Sequence, residues 1–407
     1  MRQARLGDFL VKRSRGIVPL STPDETFELY SVPAFEGKRP EVVTGGQIGS
    51  NKQIVDPGTV LLCKINPRIN RAWAVGSFTK HQKIASTEWI AFPPHPDVVP
   101  RYLAHYLSRK EIRDYLAANA SGVGGSLMRV KASTVEDLPL PLPDVDEQRR
   151  IVAEIEKQFS RLDEAVANLQ RVKANLRRQR AAVLRGAVAG TLLGDERRVE
   201  WIDTTIGDVS QVISGLTKNP KREGMPRKLP YLRVANVYAN ELRLDQIEYI
   251  GVADQELEKL LVRQGDLLVV EGNGSPDQIG RVALWDGSIE NCVHQNHLIK
   301  VRLGSRVTPQ WAMTWLLSPG GRHEIELVSS STSGLHTLST GKVARLPIPV
   351  PPVPEQRRIV AEVDRRLSIV REVEAEVDAN LKRALALRQA MLAKAFGRAN
   401  EAVPSLA

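Results

Sequence analysis

The sequence predicts an α+β protein with two globular regions, each followed by one long helix. The octapeptide EQRRIVAE occurs at residues 147–154 and again, unchanged, at residues 355–362. A proline-alternating run precedes each copy, LPLPLP at 138–143 and LPIPVP at 346–351. Apolar residues then recur at helical spacing over 37 residues, from Ile151 to Ala187 and from Ile359 to Ala395. Because an internal repeat constrains the whole fold, we interpret the chain as two tandem halves related by a pseudo-twofold axis.

The first globular region spans residues 1–143 and mixes strand and helix signals. The run Leu61–Ile65 is typical of a buried strand. Tyr102 and Tyr106 lie four residues apart, which places them on one face of a helix. The Leu-Gly-Asp sequence at 6–8 recurs as Ile-Gly-Asp in the second half.

The first long helix is expected within residues 144–195. Steps of three, four or seven residues connect its apolar positions, and these steps define a seam on one side of the helix. The seam consists of Ile151, Ile155, Phe159, Leu162, Val166, Leu169, Leu176, Val183 and Ala187. A helix of about 45 residues is roughly 65–70 Å long, and it cannot bury such a seam alone.

The second globular region spans residues 196–353. Strands are expected at Leu267–Val270 and at His297–Arg302. Trp311 and Trp315 match the tyrosine pair of the first half. The turn-rich stretch 271–276 separates the two predicted strands.

The second long helix is expected within residues 354–400, with a tail at 401–407. Pro354 suits a first helical turn. The apolar seam continues in the same register as in the first helix, through Ile359, Val363, Leu367, Val370, Val377, Leu381, Met391 and Ala395. The matched seams predict that the two helices form an antiparallel coiled coil, whereas the alternative is that each helix packs only on its own globular half.

The charge of the chain favours a polyanionic partner. The sequence holds 57 basic and 47 acidic residues, for a formal net charge of +10, and its pI is about 9.6. Residues 1–143 carry a net charge of +6, whereas residues 196–353 are neutral. A nucleic-acid patch in the second region would therefore have to be local.

Two cysteines, Cys63 and Cys292, exclude a disulfide framework and suit a reducing compartment. The N-terminus lacks the apolar core of a signal peptide, and no apolar run is long enough to cross a membrane. We expect a soluble cytoplasmic protein.

The sequence shows few motifs of catalysis. It contains no GxxxxGK[ST] phosphate loop, no GxGxxG motif that opens a helix, and no Asn-Pro-Pro-aromatic tetrad of amino-methyltransferases. His294 and His297 have a spacing that could ligate a metal, but no cysteine or acidic cluster accompanies them. Asp24, Glu36 and Lys38 fit a loose nuclease pattern, in which two carboxylates hold a divalent ion and a lysine orients water. We therefore expect no catalytic residue and no metal ligand.

Basic and amide side chains in loop-like stretches are the candidate nucleic-acid contacts. Arg and Lys neutralise phosphates, whereas Arg, Asn and Gln can also read base edges; the alternative is that each is a solvated loop residue. The candidates are Lys12, Arg13, Arg15, Arg68 and Arg71 in the first half, and Lys218, Asn219, Lys221, Arg222, Arg227, Lys228, Asn273, Gln278 and Arg281 in the second.

The order of these elements resembles the specificity subunit of type I restriction–modification systems. The duplicated helix start after a proline run is the most specific part of the resemblance, which covers essentially the whole chain. The segments at 231–237 and 291–299 are also similar to that family's target-recognition domains, and in the first half residues 84–90 are the most similar piece.

The resemblance implies that each globular region is a target-recognition domain that reads one half of a split, asymmetric DNA site. The helices would act as a spacer and dock two methyltransferase subunits and the restriction subunits. S-adenosylmethionine, ATP and Mg²⁺ would be bound by those partners and not by this chain. The eight residues at the two helix starts would be structural or face a partner: Glu147, Gln148, Arg149, Arg150, Glu355, Gln356, Arg357 and Arg358.

Two other classes of function compete with this interpretation. A coiled-coil adaptor whose globular regions bind proteins would show no salt-sensitive DNA affinity. A stand-alone nuclease would cleave DNA with magnesium and would lose that activity on Asp24→Ala.

Overall fold

The computed structural model describes residues 2–11, 14–122, 128–194, 200–272, 278–329 and 337–397 of the chain. The chain divides into two compact units. Unit 1 comprises residues 1–170 together with 378–407, and unit 2 comprises residues 171–377. Each unit therefore combines one globular region with parts of both long helices.

Unit 1 contains ten strands and its helices in the part of the chain that the structure describes. The strands are β1 Arg2–Arg5, β2 Gly16–Ile17, β3 Thr26–Tyr30, β4 Glu41–Thr44, β5 Lys52–Ile54, β6 Val60–Cys63, β7 Ala72–Ala74, β8 Gln82–Ser86, β9 Trp89–Phe92 and β10 Pro139–Leu142. The helices are α1 Pro100–Leu107, α2 Lys110–Ala118, α3 Ser133–Glu136 and the first part of α4 Val145–Ala189. The strands form a five-stranded sheet, β2-β5-β8-β3-β4, a three-stranded sheet, β7-β6-β9, and the pair β1-β10.

Unit 2 has a comparable but not identical set of elements. The strands are β11 Ile202–Thr205, β12 Ser210–Ser214, β13 Lys228–Leu232, β14 Val237–Tyr238, β15 Glu241–Leu242, β16 Glu248–Gly251, β17 Leu267–Val270, β18 Val282–Leu284, β19 Val293–His294, β20 Leu298–Leu303 and β21 Pro347–Val350. The helices are α5 Ile206–Val209, α6 Pro220–Glu223, α7 Asp254–Leu260, α8 Pro309–Leu317, α9 Pro319–Ser329, α10 Thr340–Ala344 and α11 Val353–Ala395, which continues into unit 1. The sheets are β12-β20-β17-β18, β16-β13-β19, the hairpin β14-β15 and the pair β11-β21. The predicted α+β fold class is confirmed.

The two long helices are α4, with 45 residues, and α11, with 43. In unit 1 they run antiparallel, because Val152 and Ile155 near the start of α4 share a core with Leu392 and Phe396 near the end of α11. In unit 2 the end of α4 packs in the same sense against the start of α11. Val183, Ala187, Ile359 and Val363 belong to that core. The predicted seam residues are buried or half-buried along both helices.

The two helices end differently. Gly190 follows α4 with a φ of +76°, a left-handed conformation that suits glycine. The N–H groups of Thr191 and Leu192 both donate to the carbonyl of Gly186, at 3.0 and 3.1 Å. Leu192 thereby folds back onto the core of unit 2. At the end of α11, Phe396 packs instead against Tyr102 and Tyr106, with ring centroids 5.2 and 5.5 Å apart.

The proline-alternating runs form the strands β10 and β21. Because proline has no N–H, only Leu140 and Leu142 can donate backbone hydrogen bonds from β10 to β1. The carbonyls of the two prolines face the opposite edge, where the hydroxyl of Tyr102 donates to Pro141 at 2.9 Å and that of Tyr106 donates to Pro139. The aromatic pair therefore satisfies the acceptors that the proline strand leaves unpaired.

Unit 2 repeats this arrangement with tryptophans. The indole N–H of Trp311 donates to Pro349 at 2.8 Å, and that of Trp315 donates to Pro347 at 2.7 Å. The strand β21 pairs with β11 in the same register as β10 with β1. Tyrosine and tryptophan are interchangeable here because both carry an apolar ring with one terminal donor.

The predicted strands are confirmed as β6, β17 and β20. The turns that precede β6 and β17 place Gly58 and Gly265 at φ values of +87° and +92°. Gly58 donates its N–H to Val75 at 2.8 Å, and Gly265 donates to Trp285 at 3.0 Å. The weak sequence echo around these glycines therefore marks the same left-handed turn in both units.

Among the described residues, the structure contains no helix that is both long and apolar enough to span a membrane.

Candidate functional site

The repeated helix starts are built around a buried glutamine. Gln148 is fully buried near the start of α4, and its amide makes three hydrogen bonds. Its oxygen accepts from the N–H of Val99 at 2.8 Å, and its nitrogen donates to the carbonyls of Asp97 and Pro143 at 2.7 and 2.9 Å. The side chain thus joins the helix, the end of the proline run and the loop before α1.

Gln356 makes the same three bonds in unit 2 and is also fully buried. Its oxygen accepts from the N–H of Thr308 at 2.8 Å, while its nitrogen donates to the backbone carbonyls of Arg306 at 2.9 Å and Pro351 at 2.8 Å. Only a neutral side chain with one acceptor and two donors meets this set of partners without burying a charge. The two glutamines are therefore structural.

The charged residues around each glutamine lie at the surface. Arg149 and Arg150 are exposed and form ion pairs within the first turns, with Asp146 at 3.1 Å and Glu147 at 2.5 Å. Arg357 and Arg358 are exposed at the matching positions of α11. Glu355 accepts a hydrogen bond from the indole N–H of Trp201 at 3.1 Å. The structure therefore separates a buried amide from a surface that carries two arginines in each unit.

In unit 1, the candidate nucleic-acid contacts fall into three groups. Lys12 and Arg13 lie outside the described residues. Arg15 is exposed and pairs with Asp56 at 2.6 Å, and Arg68 is exposed on the short 3₁₀ helix Pro67–Ile69. The side chain of Arg71 is only 13% exposed and pairs with Glu36 at 3.4 Å. Arg15 and Arg68 are therefore the more accessible of these cations.

In unit 2, the basic stretch before β13 is partly neutralised by acids distant in sequence. Lys218 pairs with Glu248 at 3.1 Å, and Arg227 pairs with Asp254 at 2.5 Å. Because Lys218 donates a hydrogen bond to its carboxylate, the pKa of Glu248 lies below its ordinary value. Lys221 and Lys228 are exposed. Asn219, half-buried, donates weakly to the carbonyl of Thr217.

Arg222 has a structural contact that the sequence did not indicate. Its side chain is 13% exposed, and its two terminal nitrogens donate to the two oxygens of Glu256 at 2.9 and 2.8 Å. These bonds raise the pKa of the guanidinium and lower that of the carboxyl. Among the candidates of unit 2, Arg222 is therefore held within the protein.

Gln278 and Arg281 lie beside a cluster that sequence reasoning missed, while Asn273 lies outside the described residues. Arg281 lies over the ring of Tyr238, with the guanidinium carbon 4.8 Å from the centroid, and Arg243 lies 3.9 Å from the same ring. Gln278 accepts from Arg281 at 3.3 Å. A second missed cation, Arg233, pairs with Glu248 at 2.7 Å. No local pattern could have joined Arg281 with Tyr238, because they lie 43 positions apart in the sequence.

The two histidines of the possible metal motif have different environments. His294 is fully buried on β19, and its Nδ1 is 2.9 Å from the carbonyl of Leu298. Burial lowers its pKa to about 4. His297 is exposed and lies 2.8 Å from Glu271. Across the described part of the chain, no group of three or more His, Cys, Asp and Glu side chains could hold a metal ion.

The residues of the possible nuclease pattern lie on the surface of unit 1. Asp24 lies in the exposed turn before β3, and Glu36 lies in the 3₁₀ helix Pro33–Gly37. Lys38 follows with a φ of +51°. The side chain of Glu36 is 70% exposed and contacts Arg71 at 3.4 Å.

Comparison with known protein families gives a match to the second half of the chain. Residues 198–379 match the family model of the type I restriction modification DNA specificity domain. The type I restriction enzyme StySPI specificity subunit of Salmonella potsdam is 27% identical over 314 residues, 75% of this chain and 66% of that protein. The EcoKI specificity subunit of Escherichia coli K12 is 26% identical over 310 residues, 74% of this chain and 66% of that protein. The chain thus spans about two thirds of the length of these relatives, and the predicted resemblance is confirmed.

A solved structure has the same fold over nearly the full length. It is a chain from work on complex assembly and conformational transition of the type I R-M system. The TM-score is 0.75 with 22% sequence identity, and the alignment covers 97% of each chain. The likeness therefore extends to both units, including the one that the family model does not match.

Proposed function

Because the chain resembles type I specificity subunits in sequence and fold, we propose that it is the DNA-recognition subunit of a type I restriction–modification complex. Each globular region reads one half of a bipartite, asymmetric site in double-stranded DNA. The chain itself supplies no catalytic residue. S-adenosylmethionine, ATP and Mg²⁺ are held by the methyltransferase and restriction subunits, and the complex works in the cytoplasm.

The observation that carries this proposal is a set of contacts that occurs in both units beside different sheets. We call this set the frame: the bonds of the buried glutamine and the bonds of the aromatic pair to the proline strand. Gln148 and Gln356 make the same three hydrogen bonds, and the aromatic pairs satisfy the same proline carbonyls. The sheets beside them differ in strand number and order. A duplicated frame with unlike recognition surfaces suits double-stranded DNA, whose phosphate backbone is the same at both half-sites while the base sequences differ.

The long helices have the dimensions of a spacer. At 1.5 Å per residue, 45 and 43 residues give roughly 65 Å each, about two turns of B-DNA. A fixed length selects a fixed number of unread base pairs between the half-sites. Inserting one heptad into both helices is expected to change the spacer and leave the two half-sites as they were.

The exposed arginines at the helix starts are the proposed docking points of two methyltransferase subunits. Each unit presents one such pair beside its buried glutamine, so two equivalent contacts are available. The combined substitution Arg149→Glu and Arg357→Glu is expected to reduce co-purification of the methyltransferase. Arg15→Glu, which changes an equally exposed charge elsewhere, serves as the control.

The proposal is tested by methylation-sensitive sequencing of DNA from cells that carry the chain and its partners. We expect one split, asymmetric methylated site. Exchanging residues 1–143 for those of a related chain should change one half-site only, and a change in both would contradict independent reading.

The competing adaptor and nuclease functions give different results. A protein-binding adaptor would yield no methylated site and no salt-dependent DNA affinity, whereas a DNA-recognition subunit shows a steep salt dependence. A nuclease would cleave DNA without its partners.

A further inference from the structure

Two arginines of unit 2 share one tyrosine ring. Tyr238 lies in β14, and the β14–β15 hairpin turns at Asn240, which has a φ of +57°. Arg243, just after β15, places its guanidinium carbon 3.9 Å from the ring centroid, and Arg281, just before β18, is 4.8 Å away. A ring within about 6 Å attracts a guanidinium and restricts its motion. The two cations are therefore ordered before any ligand binds.

Arg281 differs from the other ordered arginines of this unit. Arg222 and Arg302 are each neutralised by a two-pronged contact with a carboxylate, Glu256 and Asp266. In the ranges that the structure describes, Arg281 donates to two neutral acceptors, the side-chain oxygen of Gln278 at 3.3 Å and the carbonyl of Val234 at 3.4 Å. Among the described residues, no carboxylate forms an ion pair with it.

These contacts leave Arg281 able to bind a ligand. The bonds at 3.3 and 3.4 Å are near the upper limit for N–H···O contacts and are therefore weak. Each terminal nitrogen carries two N–H groups, so one on each remains after the two bonds are counted. A planar, ordered pair of donors matches two adjacent acceptors in one plane.

Arg243 has a more open position. Its side chain is 51% exposed, and within the described residues it pairs with Glu241 through Nε at 2.8 Å. The Tyr238 side chain also interacts with this guanidinium, and within the part of the chain that the structure describes no carboxylate pairs with its terminal nitrogens. An exposed cation beside a stacked arginine suits a phosphate that neighbours the base being read.

We propose that Tyr238, Arg243 and Arg281 form one recognition element, in which Arg281 reads the edge of a guanine and Arg243 binds an adjacent phosphate. The inference rests on the proposed function, since it assigns a base and a contact to the second half-site. Guanine presents two acceptors, O6 and N7, side by side in the major groove, the pair that an arginine fork fits. The second half-site must then contain a G·C pair.

The test uses the chain in complex with its methyltransferase subunits and S-adenosylmethionine. The methylated site of the wild-type complex is determined first, and duplexes with each base pair of the second half-site replaced are then compared. Arg281→Lys keeps the charge and loses the fork. It should reduce discrimination at one G·C pair by about 10- to 100-fold while leaving the first half-site unchanged.

Arg243→Ala should act differently. We expect weaker binding of cognate and unrelated DNA alike, with the slope of log affinity against log salt reduced by about 1. Arg263→Ala is the matched control, because Arg263 is 53% exposed and pairs with Glu258 much as Arg243 pairs with Glu241. Tyr238→Phe keeps the ring under Arg281 and should retain the discrimination at the G·C pair, whereas Tyr238→Ala should reduce both that discrimination and the affinity for DNA.

A second half-site without any G·C pair, or Arg281→Lys and Arg243→Ala variants that both behave like Arg263→Ala, would overturn this inference. Assembly with the methyltransferase, measured for every variant, shows that each is folded. A wild-type complex without any DNA sequence preference would instead sink the proposed function itself.

Discussion

Unit 1 and unit 2 agree in their frame and differ in their sheets. Three features of one unit have counterparts in the other: the bonds of the buried glutamine and the bonds of the aromatic pair to the proline strand, which form the frame, and the left-handed glycine before the central strand. Beyond these features, unit 1 has a five-stranded sheet, whereas the described residues of unit 2 form sheets of four, three, two and two strands. The difference teaches that the two halves agree where side chains satisfy backbone groups and differ in the arrangement of their sheets.

The largest effect is expected from the buried glutamines. Gln356→Leu leaves the N–H of Thr308 and the carbonyls of Arg306 and Pro351 without partners. We expect the free energy of unfolding of unit 2 to fall by about 3–5 kcal/mol, since each orphaned group costs roughly 1–3 kcal/mol before relaxation. Gln148→Leu should do the same in unit 1, as measured by amide hydrogen exchange of peptides from each unit.

The control is Gln255→Leu, at an exposed position of α7. It should change the free energy of unfolding by less than about 0.5 kcal/mol. A large loss for one glutamine and none for the other would break the equivalence of the two frames.

The next largest effect is expected at the ends of the two long helices, where the loss of unfolding free energy should differ between the units. Phe396 is 3% exposed and contacts two tyrosine rings, and the guanidinium carbon of Arg109 is 5.6 Å from its centroid. Phe396→Ala should therefore destabilise unit 1 by about 3–4 kcal/mol. Leu192 is smaller and 9% exposed, so Leu192→Ala should cost unit 2 about 2 kcal/mol. Equal losses in chemical denaturation would mean that the two ends contribute alike.

Acid should destabilise unit 2 through His294. Burial lowers its pKa to about 4, below the value of about 6.5 in the unfolded chain. The folded state therefore binds fewer protons, and the stability from this group is present above pH 6.5 and is lost as pH falls towards 4. We expect a loss on the order of 2–3 kcal/mol over that interval.

The corresponding measurement is the free energy of unfolding between pH 7 and pH 4, followed by hydrogen exchange in each unit. His294→Gln should flatten the dependence in unit 2 alone. Burial also lowers the pKa of His105 in unit 1, so that unit should retain its own acid sensitivity in the variant. An unchanged profile for His294→Gln would argue against this assignment.

The smallest effect concerns the proline carbonyls. Tyr102→Phe removes the hydrogen bond to Pro141 and keeps the ring, so unit 1 should lose about 1 kcal/mol. Tyr249→Phe is the matched control, because Tyr249 is 64% exposed, and it should have no effect on thermal unfolding. A loss no greater than that of the control would show that the hydroxyl of Tyr102 adds nothing to the frame.

Sequence reasoning predicted the parts that depend on local periodicity. The seams of α4 and α11, the strands β6, β17 and β20, and the tandem repeat follow from spacings of two, three and four residues or from direct identity. Arg388 is a charged residue at a seam position of α11, and the structure explains it by its contacts with Asp163 and with the ring of Phe159.

The rest depends on contacts between residues distant in the chain. The stretch from Lys218 to Lys228 is strongly basic in sequence, yet Glu248, Asp254 and Glu256 neutralise part of it from a helix and a strand that follow. The ring of Tyr238 joins Arg243 with Arg281, 38 positions further on. Neither arrangement has a local signature, because strand order decides which side chains meet.

The proline strands have a consequence for how the chain behaves while it folds. An ordinary strand at a sheet margin offers alternating donors and acceptors, and another chain can extend the sheet along it. On their outer sides β10 and β21 offer acceptors alone, and the aromatic rings of α1 and α8 already occupy those. The proline strand of each unit is thereby closed to strand addition on that side once α1 or α8 has docked on it.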